Sequence, residues 1–494
     1  MSVSLYVGRD LTEDGCVFLA GYGDEPSSHY FYLAEREENH PEAKMEVGVN
    51  SEAMFPGERI QIPRPEQTKR YITSRYSAWK GLPPPLENGG LNEDGVAAAA
   101  VWSPSRPELR KMTPEPQRGV NFSDISKIVM QKAESARQAV EIAGGLIEEF
   151  GYATYGGNSH MFADEEEGWI MIELAGGKGL WAARRLAEDE VRVSRPGYLG
   201  RIPPDYQSRP DYIGSDNLFS FAIEQGWYDP DSENEFNFGR VYQTDQRPEK
   251  PGKQIRSAGV VRMENLLQER APGIGLIDMI GAVRSPLITS VTSGYGKVAC
   301  MADLEHDFLA TIWMGSGPTL TSPFIPFPLG IQEIPIEYKK HRYLTRGEST
   351  RFIDPDFQGR ESTPYAFRTF KRLYHLVAEH PKEFRAEVVD TLQAFEERAI
   401  MQLNDVKNMI RGLCTEKHFE QAKRPLTELN HKLAREGLEA AETLADSIEI
   451  KTRLLYGISE PGEKGRDDRL HATIDEEFYP WAEEEFRERS ESND

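Results

Sequence analysis

The sequence predicts an α+β fold, and two observations carry that prediction. From Met1 to about Pro335, short apolar runs of β type alternate with Gly- and Pro-bearing turns and a few helices. From about Ser362 onward the periodicity is helical. In the first region, residues 3–8 and 16–20 read as the two strands of a hairpin, because Asp14-Gly15 in the connection is a turn signal. Ser2 then begins the first strand. Residues 95–102, 169–174 and 180–184 read as further strands. Gly176-Gly177-Lys178-Gly179, between the last two, reads as a hairpin loop rather than a phosphate cradle. Residues 135–150 are amphipathic and end at Gly151, the pattern of a helix with glycine at its C-terminal cap.

In the second region Phe384, Val388, Leu392, Phe395, Ala399, Leu403, Val406, Ile410 and Leu413 recur at steps of four and three. They mark one apolar stripe on a helix of roughly 45 Å. Leu426, Leu429, Leu433, Ala440, Leu444 and Ile448 mark a second stripe. Two such helices pack most simply as an antiparallel hairpin against the sheet region, with a dimer-forming coiled coil as the alternative.

A length of 494 residues fits two or three domains, or one large layered domain with an appendage. Lys and Arg number 58 against 81 Asp and Glu, a net charge of −23. That field repels polyanions, so neither nucleic acid nor an anionic membrane surface is expected as a partner. The acid excess ends in a Glu-rich stretch, residues 483–494, that reads as a solvated, partly disordered tail. Cys16, Cys300 and Cys414 are an odd number without paired spacing, which fits a reducing compartment rather than a disulfide framework. The chain shows no secretory leader and no apolar run of about 18 residues, so the expected setting is the cytoplasm.

The usual cofactor fingerprints are missing: no G-x-x-x-x-G-K-[ST], no H-E-x-x-H, and no G-x-G-x-x-G after a strand. No cofactor and no metal are expected. His160 with Asp164-Glu165-Glu166-Glu167 reads as a solvated acidic turn before a strand rather than a metal site, since hard-cation loops need carbonyls and fixed spacing. No G-x-S-x-G elbow is present. Cys16 lies in an apolar strand and reads as core. Ser2 is different. Removal of Met1 would leave a hydroxyl and a free α-amine on one residue, and an α-amine with a pKa of roughly 7.7–8.0 can serve as the base for its own side chain.

Several stretches together resemble one family. Leu5-Tyr6-Val7-Gly8 followed by Asp14-Gly15 is similar to the mature start of the dipeptidase A family of N-terminal-nucleophile hydrolases, the group that includes the secernins. Gly90-Leu91-Asn92-Glu93-Asp94-Gly95-Val96-Ala97 resembles that family's G-x-N-E-x-G-[VL]-A turn and strand. The longest likeness runs from Ala133 to Ala183 and includes Gly156-Gly157-Asn158-Ser159 and Gly168-Trp169-Ile170-Met171-Ile172-Glu173. Gly226-Trp227-Tyr228-Asp229-Pro230, Phe236-Asn237-Phe238 and Trp313 with Pro323-Phe324-Ile325-Pro326-Phe327 follow in the family's order.

The resemblance implies a four-layer αββα sandwich. It divides the chain into a core over residues 2–361, a helical extension packed on it over 362–460, and the tail over 461–494. It implies an amide-bond hydrolase acting on a small peptide or amino-acid amide, with Ser2 where the family carries a catalytic Cys. Asn92 falls on an oxyanion-hole asparagine and Asp24 on an acidic residue that orients the α-ammonium. A plain turn asparagine and a solvent-facing loop are the alternatives for these two. The family's arginine is replaced by Gly21, and a second site-lining asparagine falls at about Pro196; Arg195 or Arg201 could supply the missing charge. These departures leave open a catalytically silent member that binds peptides or proteins, or an amidohydrolase of an N-acyl or lactam metabolite. A homo-oligomer is compatible with the long helical stripe.

Overall fold

The hairpin expected at the start of the chain forms, and it is the seam around which the rest is built. The computed structural model describes residues 2–23, 29–76, 81–232, 234–243, 256–289, 294–302, 306–339, 365–413 and 419–457. Strands β1 (Val3–Val7) and β2 (Val17–Gly23) open the chain, followed by β3 (His29–Ala34), β4 (Tyr71–Tyr76), β5 (Leu86–Asn92) and β6 (Ala97–Trp102). Helices α1 (Phe122–Lys132) and α2 (Ala136–Phe150) then precede β7 (Asn158–Ala163), β8 (Gly168–Glu173), β9 (Trp181–Leu186), β10 (Val191–Ser194) and β11 (Tyr212–Gly214). After α3 (Ala258–Arg270) and α4 (Leu276–Val283) come β12 (Tyr295–Met301), β13 (Thr311–Ser316) and β14 (Ile325–Pro328). Three helices close the described chain: α5 (Ala366–Glu379), α6 (Pro381–Leu413) and α7 (Phe419–Tyr456).

The strands form two antiparallel sheets. One has the order β10-β1-β2-β12-β13-β14, the other β11-β9-β8-β7-β6-β5-β4-β3. Period-two alternation sends one side of each sheet into a shared core, which holds Leu19, Ala97, Ala99, Met161, Ile170 and Ile172. The sheets come close where Tyr6 lies over Gly168: a Cβ there would sit 2.3 Å from the tyrosine ring, so only glycine fits. On its other face the eight-stranded sheet buries Trp169 and Met171 against Val129, Val140 and Ala143 of α1 and α2. Ser135 caps α2 by accepting from Gln138, and Gly151 ends it at φ 87°.

The outer face of the six-stranded sheet is covered by α4 over β2 and β12, α5 over β13, and α6 and α7 over β14. The layers therefore run α, β, β, α. The C-terminal helices are not an appendage; they are most of the fourth layer, and their apolar stripe is continuous with the central core. α6 and α7 run antiparallel, tied by Lys432 to Gln402 and by Lys451 to Glu387. The first stripe is buried as read from Phe384 to Leu403. In the second, Ala441 rather than Ala440 faces the core, joined by Leu438 and Ala445. α5 falls in the region read as helical from about Ser362, without a stripe singled out for it; its Phe367, Phe370, Leu373 and Val377 are all buried. The expected tail, residues 461–494, lies outside the described residues.

Candidate active site

Strand register sets out the region around Ser2. Ser4 pairs with Ser194 on one side and Gly21 on the other, and Gly21 pairs with Lys297. Laterally paired residues share a face, so these four form a row across the six-stranded sheet. The row points at the other sheet: a Cβ on Gly21 would lie 3.4 Å from the Ala99 Cβ of β6, and Lys297 Nζ donates to the carbonyls of Asn88 (2.6 Å) and Ala98 (2.8 Å). Ser2 is two residues before Ser4 and belongs to the same face, one row nearer the start of β1. It is half-buried, whereas Ser4 is fully buried and its Oγ meets no hydrogen-bond partner among the described residues. Gly23 and Tyr295, paired with each other, continue Ser2's row.

The same end carries a chain of hydroxyls. Ser159 Oγ lies 2.7 Å from Ser103 Oγ and 3.3 Å from Ser194 Oγ, and Ser103 Oγ accepts from the Gly197 amide. Beyond them His29 packs between Tyr76 and Tyr295, each ring 5.0 Å away, and the Tyr76 hydroxyl reaches Asn88 Oδ1. The arrangement is a polar slot between the two sheets, at the end where β1 begins and Ser2 is half-buried.

Comparison with known proteins decides the family. The profile described as Peptidase family C69 matches residues 2–267. The chain belongs to this family. A probable dipeptidase B of Streptococcus pyogenes serotype M3 is 22% identical over 457 residues, covering 82% of this chain and 84% of that protein. A probable dipeptidase of Salmonella dublin is 28% identical over 249 residues, 49% of this chain and 53% of the relative. A conjugated bile acid hydrolase from Clostridium perfringens aligns at 12% identity over 66% of this chain and 92% of its own, with a TM-score of 0.34. At that score the αββα layering rests on this chain's own sheet order and helix packing. As a member of family C69 the chain is a peptide-bond hydrolase.

Within this C69 chain the expected site residues separate. Asn92 is the clear correction. Its Nδ2 donates to the carbonyls of Met130 (3.2 Å) and Ala133 (2.8 Å), and its Oδ1 accepts from Asp94 and Val96. Both amide hydrogens are thereby spent on tying the β5–β6 turn to the end of α1. The residue also sits at the wrong end of the sandwich. Leu91 pairs with Ala97, while Gly21 meets Ala99 and the hydroxyl chain begins beyond Val101. The turn-asparagine reading is the one its hydrogen bonds fit.

Arg195 follows Ser194 directly and is half-buried near the row, with Nη1 donating to the Leu287 carbonyl at 3.3 Å. Arg201 faces solvent, paired at 2.9 Å with Glu235. Asp24 lies outside the described residues. Beside Gly21 stands a charged residue that the sequence reading did not single out. Lys297 on β12 reaches over Gly21, where a Cβ would meet its Cε at 3.0 Å. A lysine in a strand flanked by Gly296 and Val298 was the available signal.

Two other clusters have catalytic residue types without access. Ser126 Oγ, His160 and Glu173 form a hydrogen-bonded chain, 2.9 Å to Nε2 and 2.7 Å from Nδ1. All three are wholly buried between β7, β8 and α1, where substrate does not reach. His160 is thus remote in role from the acidic turn: Asp164 caps that turn through the Glu166 and Glu167 amides and accepts from Ala136 at the start of α2. Cys16 is buried as expected, and a hydrogen bond with Cys300, reinforced by burial, holds its thiol far above the ordinary range. Ligand atoms of Asp14, Cys16 and Cys300 lie within 4.8 Å of one another, on the strand ends away from Ser2. Among the described residues no helix is long and apolar enough to cross a membrane.

Proposed function

We propose that the chain hydrolyses the amide bond of a small peptide or amino-acid amide, with Ser2 as nucleophile once Met1 is removed. The observation that carries this is the place of Ser2. It is half-buried at the end of the inter-sheet slot, at the residue where the C69 match begins. Ser2 Oγ attacks the substrate carbonyl while its own α-amine accepts the hydroxyl proton, directly or through one water. The amine then protonates the departing nitrogen, leaving an acyl ester on Ser2. Water, deprotonated by the same amine, attacks that ester and releases the carboxylic acid. Asn92 has no part in this scheme. Donors for the oxyanion belong at Ser2's own end, where the hydroxyls of Ser103, Ser159 and Ser194 gather. Such a donor is worth roughly 10²–10³ in rate where one has been removed.

The test is intact mass together with turnover on a dipeptide panel. The expected protein lacks Met1 and loses hydrolysis on Ser2→Ala, while Ser2→Cys keeps it. Retained Met1, or a Ser2→Ala protein that turns over unchanged, rejects the scheme.

A further inference from the structure

We infer that Lys297 is a positioning residue of this site, acting on Ser2 through charge by holding the α-amine of Ser2 in its neutral, proton-accepting form. The inference rests on the proposed role of Ser2 and deepens it. The argument begins with cost. An ammonium inside a sandwich gives up its hydration, and 3% exposure makes Lys297 a buried cation. Its head is held by the carbonyls of Asn88 and Ala98, which favour the charged form. Gly21 makes the space: any side chain there would contend with the lysine Cε at 3.0 Å.

The register then fixes what the charge acts upon. Ser4 and Gly21 separate Lys297 from β10, and Ser2 lies one row beyond Ser4 on the same face. Two strand spacings of about 4.8 Å and two residues spanning about 6.7 Å put the α-amine of Ser2 roughly 12 Å from Lys297. Between them lies the fully buried Ser4 Oγ, so the path is protein rather than bulk water. A like charge across that distance disfavours the α-ammonium by about one pK unit. Near neutral pH this turns a mostly protonated amine into one that is about half free or more, as a base for a poorly acidic hydroxyl requires.

Other groups face the slot. Tyr295 lies 5.8 Å from Lys297 Nζ, His29 and Tyr76 stack beyond it, the Tyr365 hydroxyl meets the His29 carbonyl, and Arg195 follows β10. β6 offers only alanines and Val101 on this side. Because Arg195 adds to the positive field, the test isolates Lys297 by substitution at that residue alone.

The experiment is competitive labelling of the full-length protein with trace acetic anhydride from pH 5 to 10, reading the N-terminal peptide by mass spectrometry. In the parent chain the midpoint should fall about one unit below the ordinary 7.7–8.0 of an α-amine. Lys297→Met should raise it by about one unit. Lys297→Gln, which keeps a donor for the two carbonyls, should do the same, and Lys297→Arg should leave it in place. On a dipeptide that the parent hydrolyses, kcat/KM of Lys297→Gln should drop about tenfold at pH 6.5 and less than twofold at pH 9. An unchanged midpoint in both neutral variants overturns the inference, as does a Lys297→Arg midpoint that moves with theirs. Ser2→Ala reports separately on the nucleophile. Should Ser2→Ala abolish turnover while the midpoint ignores Lys297, the proposed function stands and this inference falls; retained Met1 removes both.

Discussion

At the scale of single residues, position in the fold outranks residue type. Asn92 has the right chemistry for an oxyanion donor, but its carboxamide makes two donated and two accepted bonds inside a turn. Asn92→Ala should therefore cost about 2–3 kcal/mol of stability, since it strands buried carbonyls and amides. Chemical denaturation should register that loss, while kcat per folded molecule stays within twofold. Asp124 gives a pH-dependent case. It closes the capping box of α1, with Oδ2 accepting from Asn121 and Gly48, and burial lifts its carboxyl from the usual range to about 6 despite those two donors. A carboxyl whose folded pKa exceeds its unfolded value binds more protons in the native state. Its contribution is then most favourable at acid pH and is lost as pH rises from about 4 to about 6, by at most about 2–3 kcal/mol. Asp124→Asn should flatten the change of urea midpoint with pH across that window.

At the scale of elements, α6 is held to the sheets by a buried ion pair as well as by its stripe. Arg284, at the end of α4, donates to both carboxylate oxygens of Glu396 and to the carbonyls of Thr319 and Ser322. Glu396 also accepts from the Phe324 amide. Glu396 lies four residues after Leu392 and three before Ala399, so its period places it on the buried face, where it is wholly buried; only its charge reads as a surface residue. Removing one partner leaves an uncompensated buried charge. Glu396→Ala should lose about 3–5 kcal/mol in urea denaturation, and the double variant Arg284→Met with Glu396→Leu should recover most of it. The helices and strands themselves were legible. Asp14-Gly15 marked the first turn, Ser135 and Gly151 bounded α2, and heptad-like stripes marked α6 and α7, because each signal is local to its own element. α5 carries the same kind of signal, with Phe367, Phe370, Leu373, Tyr374 and Val377 spaced three and four apart, and lies within the region read as helical.

At the scale of the whole molecule, the C-terminal helices complete the fourth layer. A chain ending at residue 339 would expose the outer face of β13, including Trp313, which pairs with Val298 and is buried at present. It should partition into the insoluble fraction on expression, where a separable appendage would leave a soluble core. The sequence by itself determined the elements, the apolar stripes, the family motifs and the interest of Ser2, since hydrophobic period, turn residues and motif order are carried along one strand of chain. Only the tertiary structure decided which residues stand beside Ser2. Asn92 and Ser2 lie at opposite ends of the sandwich, while Gly21 and Lys297, 276 positions apart in sequence, are cross-strand neighbours. Register between distant strands is set by packing across two sheets, and no local pattern records it.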